Sequence, residues 1–213
     1  MKKRELFDMR KEYSGTARFA QSPPHNPIDL FSRWFDDALN NESHEPNAMI
    51  LSTAGKNGEP SARVVLLKQF SEEGFQFFTN YNSKKAKDIM ENSRVSLLFF
   101  WIQAMRQVRI SGIATRTTEE VSENYFKTRP RENQASSALS RQSEILTDSD
   151  KFGNMVYELI ESDNAIKRPA HWGGYTIEPF SYEFWQGSQG RLHTRLFYSK
   201  ENESLWKHQL LYP

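Results

Sequence analysis

Apolar residues first recur at helical spacing after Asn26-Pro27, a typical helix start with asparagine as the cap and proline in the first turn. The apolar positions that follow are three or four residues apart, as on one face of a helix. They are Leu30, Phe31, Trp34, Phe35 and Leu39. The pattern predicts an amphipathic helix whose buried face carries these side chains.

Shorter apolar runs follow, and turns that contain glycine separate several of them. Such runs in close succession are typical of strands in an antiparallel meander. The predicted strands cover residues 48–53, 61–67, 75–79, 94–101 and 107–115, and in the last third of the chain residues 174–177, 182–186, 195–199 and 205–210.

Helices are predicted between some of these strands. Ser83 can cap one of them, and Thr117 with Glu120 forms a capping box for another. Many short strands with helices at the edges favour a mainly β, α+β fold, a β-barrel, over a parallel α/β fold with regular alternation. Three predicted helices cover residues 84–91, 134–139 and 150–161. A fourth follows the capping box and ends at residue 127.

The chain of 213 residues is long enough for one domain with a sizeable core. Residues 1–25 begin with charged side chains and continue with Ser, Gly and Pro. We therefore expect a flexible amino-terminal arm over residues 1–25 and a single domain over residues 26–213.

The composition limits the kinds of partner that the protein is expected to bind. A net charge of +1 creates no strong field toward nucleic acid or an acidic membrane, and no run approaches the ~20 apolar residues of a membrane span. The start of the chain lacks the apolar stretch of a signal peptide. Cysteine is absent and the histidines show no ligand spacing, so neither disulfides nor a metal site is expected. We expect a cytoplasmic protein that binds neither nucleic acid nor membrane.

The run from Arg63 to Lys68 carries a cation at each end of an apolar strand. Alternation along a strand places these two cations on opposite faces, so the strand could serve one ligand on each side. Solvated strand ends would give the same pattern, and the run by itself leaves both interpretations open.

A second group lies where the strand ending at residues 77–80 meets the helix start at residues 83–85. The free N–H groups and the dipole of a helix start favour an anion, and lysines flank this one. The group predicts a phosphate site, with an exposed lysine-rich helix as the alternative. No glycine-rich loop or dinucleotide fingerprint supports ATP or NAD.

Tyr125 and Arg129 form a third group, one helical turn apart. Their hydroxyl and guanidinium groups can hold a phosphate from one helix face. The alternative is a surface helix end at which Arg129 and Arg131 pair with nearby glutamates, namely Glu119, Glu123 or Glu132.

The segment 182–195 concentrates Trp185, Arg191, His193 and Arg195 around a turn that contains glycine. Arginine binds planar and phosphate-bearing anions through a rigid fork of donors, and histidine changes charge near neutral pH. The segment predicts a site for a flat anionic ligand, although an exposed hairpin would also fit.

Nine short motifs in this order resemble the pyridoxamine 5′-phosphate oxidase family. The resemblance extends from about Met9 to the carboxy terminus. The motifs are Arg-x-Val-Leu-Leu-Lys at 63–68, Phe-x-Thr-Asn-x-x-Ser-x-Lys at 77–85, Val-Ser-Leu-Leu-Phe-x-Trp at 95–101, Arg-Gln-Val at 106–108, Tyr-Phe-x-x-Arg-Pro-Arg at 125–131, Gln-Ser at 142–143, Trp-Gly-Gly-Tyr at 172–175, Phe-Trp-Gln-Gly at 184–187 and Arg-Leu-His-x-Arg at 191–195.

The resemblance implies a split β-barrel homodimer with FMN at the subunit interface. It implies oxidation of pyridoxine or pyridoxamine 5′-phosphate to pyridoxal 5′-phosphate. A hydride passes from C4′ of the substrate to flavin N5, and O₂ then reoxidises the flavin and yields H₂O₂. The flavin carries the redox chemistry, and the protein binds and orients it.

The resemblance also implies which residues contact FMN. Residues 84, 85, 142 and 143 bind its phosphate, and Trp185 and Arg195 come from the partner subunit. The implied FMN contacts are Arg63, Val64, Val65, Leu66, Leu67, Lys68, Phe78, Thr79, Lys84, Lys85, Gln107, Gln142, Ser143, Trp185 and Arg195.

For the substrate, the resemblance implies that Lys68, Tyr125 and Arg129 grip the phosphate. Arg191 and His193 are the implied catalytic residues near the pyridine ring, and residues 10–13 close over the substrate. The implied substrate contacts are Arg10, Lys11, Glu12, Tyr13, Lys68, Tyr125, Arg129, Asn133, Arg191, Leu192 and His193.

Three positions depart from the family pattern. Lys84 replaces a frequent arginine and loses the bidentate fork, and Asn133 replaces a serine. Leu210 stands where the usual ending carries an arginine. Two other functions stay open: a split-barrel flavoprotein that reduces another substrate with a nicotinamide donor, and a protein that stores pyridoxal 5′-phosphate without turnover.

Overall fold

The computed structural model describes residues 12–15, 18–41, 45–202 and 205–213. These residues contain five α-helices, nine β-strands and short 3-10 turns at Arg18–Ala20 and Gln189–Arg191. The helices are α1 (Pro27–Asn41), α2 (Lys84–Glu91), α3 (Glu119–Thr128), α4 (Arg131–Leu139) and α5 (Ser149–Glu161). The strands are β1 (Ala48–Ala54), β2 (Pro60–Leu66), β3 (Gln69–Ser71), β4 (Gly74–Asn80), β5 (Arg94–Trp101), β6 (Arg106–Arg116), β7 (Trp172–Gln186), β8 (Thr194–Lys200) and β9 (Trp206–Leu211).

The strands are hydrogen-bonded in the order β2-β1-β5-β6-β7-β4-β3, and β8 pairs with both β7 and β9. The registers of five of these pairs are antiparallel, as the short turns between predicted strands indicated. Arg63 of β2 lies opposite Leu51, Phe78 of β4 opposite Gly174, and Trp185 of β7 opposite Arg195.

The chain divides into two compact units. The first unit comprises Met1–Pro46, Leu98–Ile110 and Ser181–Pro213, and the second comprises Asn47–Leu97 and Ser111–Phe180. The predicted division into an arm over residues 1–25 and one domain over residues 26–213 stays a prediction. No helix in the described ranges is long and apolar enough to cross a membrane.

Helix α1 begins where the sequence predicts, because the Asn26 Oδ1 accepts a hydrogen bond from the Ile28 N–H at 3.2 Å. Its buried face differs toward the end of the helix: Ala38 is buried, whereas Phe35 is half-buried and Leu39 is 56% exposed. The prediction for Leu39 is therefore wrong. Ala38 lies four residues after Trp34, on the same helical row, and Leu39 lies on the next row toward solvent.

The strand predictions need two further corrections. The two strands predicted at 174–177 and 182–186 are one strand, β7. Pro179 interrupts the pattern, but it lies between the part of β7 that pairs with β4, ending at Ile177, and the part that pairs with β8, beginning at Ser181. Its missing N–H therefore removes no bond from the β4–β7 or the β7–β8 pair. The short strand β3 was not predicted.

The caps of two helices also differ from the prediction. Thr118, rather than Thr117, caps α3, since its side chain accepts from the Val121 N–H at 3.2 Å. Ser83 precedes α2 as predicted but makes no side-chain cap bond there. Its hydroxyl instead accepts a hydrogen bond from Lys85.

The corrected face of α1 can be tested by a pair of substitutions. Phe31 is fully buried, and its ring lies 5.1 Å from that of Phe99 and 6.0 Å from that of Trp101. We expect Phe31→Ala to lower the free energy of unfolding by about 3–5 kcal/mol. Leu39→Ala should change it by less than about 0.5 kcal/mol, because that side chain is already in solvent. Denaturant unfolding measures both, and equal losses would contradict the assignment of faces.

Candidate functional site

A cavity of about 730 Å³ lies within the second unit. Four of its lining residues are cations, namely Arg63, Lys68, Lys85 and Arg129, and among the described residues no Asp or Glu lines it. The uncharged lining residues are Val64, Val65, Leu66, Phe78, Thr79, Asn80, Tyr125, Asn133, Ser136, Ser137, Ser140, Gln142, Ser143, Phe152 and Trp172. A cavity of this size is typical of small-molecule sites, and its charge favours an anionic ligand.

Lys85 is buried in the first turn of α2 and has neutral partners. Its Nζ donates to Thr79 Oγ1 at 3.2 Å, to Ser83 Oγ at 3.3 Å and to Gln142 Oε1 at 3.3 Å. Burial, and secondarily the nearby Arg63, lower the pKa of Lys85 to about 8. A buried ammonium without a carboxylate partner, at a helix start, is suited to a phosphate.

Arg63 is held on the β1–β2 pair by neutral acceptors as well. Its Nη1 donates to the Leu51 carbonyl at 3.1 Å and to Thr53 Oγ1 at 2.8 Å, and its Nη2 donates to the Ser61 hydroxyl. Burial lowers the pKa of Arg63, and the charge of Asp88 opposes this shift. These contacts fix the guanidinium at the wall of the cavity.

Lys84 takes a different place from Lys85. Its ammonium lies 3.2 Å from Asp88 Oδ1 on the outside of α2, and the side chain is 54% exposed. Its backbone N–H donates to Ser143 Oγ at 3.2 Å. The charge of Lys84 thus neutralises a carboxylate, and its side chain does not line the cavity.

A second group of cations lies around Trp172 and the end of α3. The Arg129 Cζ lies 4.6 Å from the Trp172 ring centroid, and its Nη1 donates to Ser137 Oγ at 2.8 Å. The Tyr125 ring stacks on Phe78 at 4.1 Å, and the Lys68 Nζ lies 6.0 Å from the Tyr125 ring. Burial lowers the pKa of Arg129.

The alternative of a surface ion-pair cluster for Arg129 and Arg131 is wrong. Glu123 pairs instead with Lys127 at 3.4 Å and with Arg168 at 3.2 Å. Arg131 donates to backbone carbonyls at the end of α5, including that of Ile160 at 2.7 Å. Arg129 therefore pairs with none of these glutamates and lines the cavity.

The first unit contains the aromatic part of the predicted site. Tyr13 lies 5.6 Å from both Trp185 and His193, measured between ring centroids, and the latter two are 4.8 Å apart. A Cβ added to Gly187 would lie 2.8 Å from the Tyr13 ring, so the glycine admits this packing. The Ser188 N–H donates to His193 Nδ1 at 3.1 Å, which places the proton of a neutral ring on Nε2.

Arg195, also in the first unit, has a carboxylate partner. Its Nε donates to Glu183 Oε1 at 2.9 Å, and Arg109 Nη1 lies 3.2 Å from Glu183 Oε2. The hydrogen bond to Glu183 raises the pKa of Arg195. Arg191 is exposed with a positive φ of 59°, and Leu192 is exposed beside it.

The cavity thus brings together most of the predicted contacts of the second unit. Leu67 is buried and, like Lys84, does not line it. Arg10 and Lys11 lie outside the described residues. The cavity includes Arg63, Val64, Val65, Leu66, Lys68, Phe78, Thr79, Lys85, Tyr125, Arg129, Asn133, Gln142 and Ser143, and the first unit contains Glu12, Tyr13, Gln107, Trp185, Arg191, Leu192, His193 and Arg195.

Sequence reasoning did not predict every residue of the cavity wall. The serines of α4 and its C-cap recur at 136, 137 and 140, a spacing that marks one polar helix face. Trp172 stands in one of the nine motifs without an assigned role. Nothing in the sequence around Phe152 indicates its place. The residues missed as contacts are Asn80, Ser136, Ser137, Ser140, Phe152 and Trp172.

Comparison with protein families gives two matches. The family described as pyridoxamine 5′-phosphate oxidase matches residues 35–156, and the one described as pyridoxine 5′-phosphate oxidase C-terminal dimerisation region matches residues 172–213. The pyridoxine/pyridoxamine 5′-phosphate oxidase of Rubrobacter xylanophilus is 44% identical over 213 residues, which cover 99% of this chain and 98% of the relative. That of Trichormus variabilis is 42% identical over 212 residues, 99% of each chain.

Two solved structures share the fold. PhzG from Burkholderia lata, in complex with tetrahydrophenazine-1-carboxylic acid, is 32% identical with a TM-score of 0.90, and the match covers 95% of this chain and 100% of PhzG. An FMN-binding protein from Nostoc punctiforme, described as related to pyridoxamine 5′-phosphate oxidase, is 14% identical with a TM-score of 0.70, covering 86% and 97%. The predicted fold class, a mainly β split-barrel fold with helices, is confirmed.

The lowered pKa of Lys85 predicts anion binding that depends on pH. Sulfate keeps its charge between pH 7 and 9, whereas an ammonium with a pKa of about 8 loses most of its charge. We expect sulfate affinity to fall about tenfold from pH 7 to pH 9. Titration calorimetry at both pH values measures this change.

Lys85→Arg is the matched control, because a guanidinium stays charged throughout this range. The variant should bind sulfate with little dependence on pH. An equal fall in affinity in the wild type and in Lys85→Arg would assign the pH dependence to another group.

Proposed function

The chain belongs to the pyridoxine/pyridoxamine 5′-phosphate oxidase family, and we propose that it oxidises pyridoxine 5′-phosphate and pyridoxamine 5′-phosphate to pyridoxal 5′-phosphate with FMN. The observation that carries this proposal is the cavity with two groups of cations and, in the described residues, no acidic wall. Cofactor and substrate each combine a flat ring with one phosphate, so two anion subsites are required.

Arg63 and Lys85 suit the phosphate of FMN. Both are fixed by neutral oxygens, and both stand at the cavity wall without a carboxylate within ion-pair distance among the described residues. Gln142 and Ser143 add polar groups from the chain that follows α4. A phosphate here would replace the weak contacts of Lys85 with charge-assisted hydrogen bonds.

Lys68, Tyr125 and Arg129 suit the phosphate of the substrate, and Asn133 supplies an amide donor where the family has a serine. Lys68 lies five residues after Arg63, about 16 Å away along an extended chain. That separation leaves room for a ring system between the two anion subsites.

We infer that Arg191 and His193 bind the pyridine ring near C4′. Because His193 Nδ1 accepts from the Ser188 N–H, a neutral His193 presents Nε2–H as a hydrogen-bond donor. It would orient the substrate oxygen or nitrogen at C4′ rather than act as a base, and the proton that this atom loses as the hydride leaves C4′ would go to solvent. Bound FMN would supply the redox chemistry, accepting a hydride at N5 and passing two electrons to O₂ to give H₂O₂.

The site is proposed to be completed in a homodimer, with Trp185 and Arg195 contacting the flavin from the second subunit, and Gln107 is proposed to contact the isoalloxazine ring. The match of residues 172–213 to a dimerisation region supports this assembly. Exposed apolar side chains at the end of the chain support it too, since Leu210 is 62% exposed and Tyr212 is 93% exposed.

The likeness to PhzG raises a second candidate ligand, a tricyclic carboxylic acid. Such a ligand carries no phosphate for Lys68, Tyr125 and Arg129. The second group of cations therefore favours the B6 phosphates over it.

The visible spectrum tests the function directly. We expect the protein, purified or reconstituted with FMN, to be yellow, and its flavin band to bleach when pyridoxine 5′-phosphate is added without oxygen. Readmitting air should restore the band and yield one H₂O₂ per substrate oxidised.

Each alternative predicts a different result in that experiment. Bleaching by a nicotinamide donor alone would indicate a reductase, and bleaching by tetrahydrophenazine-1-carboxylic acid but not by B6 phosphates would indicate that the tricyclic acid is the substrate. Tight binding of pyridoxal 5′-phosphate without oxygen consumption would indicate storage. A colourless protein that FMN cannot reconstitute would refute the proposal.

The proposed roles of the two units can be separated by substitution. His193→Ala and Arg191→Ala should lower kcat about a hundredfold while FMN stays bound. Arg63→Ala should weaken FMN binding about ten- to a hundredfold, since a charge-assisted hydrogen bond contributes about 1.5–3 kcal/mol. FMN fluorescence titration and steady-state kinetics measure the two effects.

Ser188→Ala is the control for His193, because it removes the hydroxyl but keeps the backbone N–H that orients the imidazole. It should retain near wild-type kcat. Loss of flavin from His193→Ala or Arg191→Ala would contradict the assignment of these residues to the substrate.

A further inference from the structure

The motif Trp172-Gly173-Gly174-Tyr175 opens β7 in the second unit and has no role in the function proposed above. Trp172 lines the cavity, yet its side chain is almost entirely buried, with 5% exposure. Its backbone is anchored on both sides: its N–H donates to the Pro169 carbonyl at 3.0 Å, and Arg168 Nη1 donates to its carbonyl at 2.7 Å. The indole is therefore a fixed part of the wall.

Three aromatic rings stack in parallel at this wall. The Trp172 ring lies 5.6 Å from Phe78 with an interplanar angle of 14°, and 6.1 Å from Tyr125 with an angle of 13°. Phe78 and Tyr125 are 4.1 Å apart. Offset stacking at these distances is favourable, so the rings hold one another and fix the orientation of Tyr125.

The two glycines make room for the neighbouring rings. Gly174 lies opposite Phe78 in the β4–β7 pair, and a Cβ at Gly174 would lie 2.8 Å from a Phe78 ring carbon. A Cβ at Gly173 would lie 2.2 Å from the Tyr81 hydroxyl. The motif thus combines one large ring with two positions that must lack a side chain.

The same indole holds Arg129. The guanidinium carbon lies 4.6 Å from the Trp172 ring centroid, and Nη1 donates to Ser137 Oγ at 2.8 Å. No carboxylate in the described residues forms an ion pair with Arg129, so its orientation rests on one neutral hydrogen bond, the indole face and a more distant contact with the Phe126 ring at 5.9 Å. Arg129 lies outside the regular part of α3, as its C-cap, where the backbone restrains it less.

We propose that Trp172 is a positioning residue that holds Arg129 and Tyr125 in place for the phosphate of the substrate. This inference rests on the proposed function. Trp172 acts through its ring faces and makes no bond to the phosphate. Its contribution is preorganisation: a guanidinium already held against the indole loses less freedom when the phosphate binds.

Steady-state kinetics of the FMN-loaded enzyme with pyridoxine 5′-phosphate test this role. Trp172→Leu should raise KM about tenfold, with kcat within about twofold and FMN affinity unchanged. Trp172→Phe keeps an aromatic face and should stay within about threefold of the wild-type KM. A purely structural defect would instead lower kcat and FMN affinity together.

A double-mutant cycle with Arg129→Ala gives the sharper test, because coupled residues are not additive. Arg129→Ala alone should raise KM. Adding Trp172→Leu to Arg129→Ala should raise it by about twofold more, against about tenfold in the wild-type background, since the indole then has only Tyr125 left to hold. Phe70→Leu serves as the control for loss of an aromatic ring: Phe70 of β3 stacks on Phe75 at 6.1 Å outside the cavity lining, and its KM should not change.

Full additivity of Trp172→Leu and Arg129→Ala would overturn the inference, as would a KM for Trp172→Leu equal to that of the wild type. Failure of the proposed function is a separate result, namely a wild-type enzyme that does not oxidise pyridoxine 5′-phosphate. In that case the same cycle is measured by calorimetric binding of pyridoxal 5′-phosphate, where the same non-additivity is expected. A wild type that binds no pyridoxal 5′-phosphate would overturn the positioning role as well.

Discussion

The Lys85 ammonium is buried without a carboxylate partner among the residues that the structure describes, and this is the constraint around which the cavity is arranged. Taking a charge out of water is costly unless hydrogen bonds replace its hydration. Here the replacements come from three parts of the chain: Thr79 at the end of β4, Ser83 before α2, and Gln142 after α4. The ends of these elements are therefore held to one point, and the lowered pKa of Lys85 shows that the compensation is incomplete. A phosphate at this point would complete it.

That arrangement also requires that the carboxylate of Asp88, whose charge acts on Arg63, be hydrogen-bonded to other groups. Burial alone would raise the pKa of Asp88, but the Thr53 hydroxyl at 2.7 Å from Oδ2, the Lys84 ammonium at 3.2 Å from Oδ1 and the charge of Arg63 lower it overall. Because both oxygens of Asp88 already have partners, Lys85 and Arg63 remain available to a ligand in the cavity. Lys84, which resemblance assigns to the phosphate, has this neutralising contact instead. At position 84 this contact requires one positive charge that extends to Asp88, and the bidentate fork of an arginine is not required for it.

Sequence patterns located the elements better than the contacts between them. Strands β4 and β5 and helix α2 were predicted within a residue, because short alternating runs and a clear helix start mark them locally. Leu39 and Thr118 show the limit of that signal: a shift of one residue changes a helix face or a cap without changing the composition. Trp172 shows a different limit. Its partners Phe78, Tyr125 and Arg129 lie 43 to 94 residues earlier in the chain, and only packing brings them together.

The charge of the cavity also bears on the proposal that two anionic ligands bind rather than one. Arg63, Lys68, Lys85 and Arg129 bring four positive charges when protonated, and the described lining residues include no negative one. A phosphate monoester carries about −1.5 to −2 at neutral pH, so two of them supply about −3 to −4. A single carboxylate would leave most of this charge unbalanced. Arg195 of the first unit is different, since its Nε lies 2.9 Å from the Glu183 carboxylate, which it shares with Arg109. Its proposed contact with flavin would therefore add hydrogen-bond donors and only part of a positive charge, and two phosphates would be balanced mainly by the cations of the second unit.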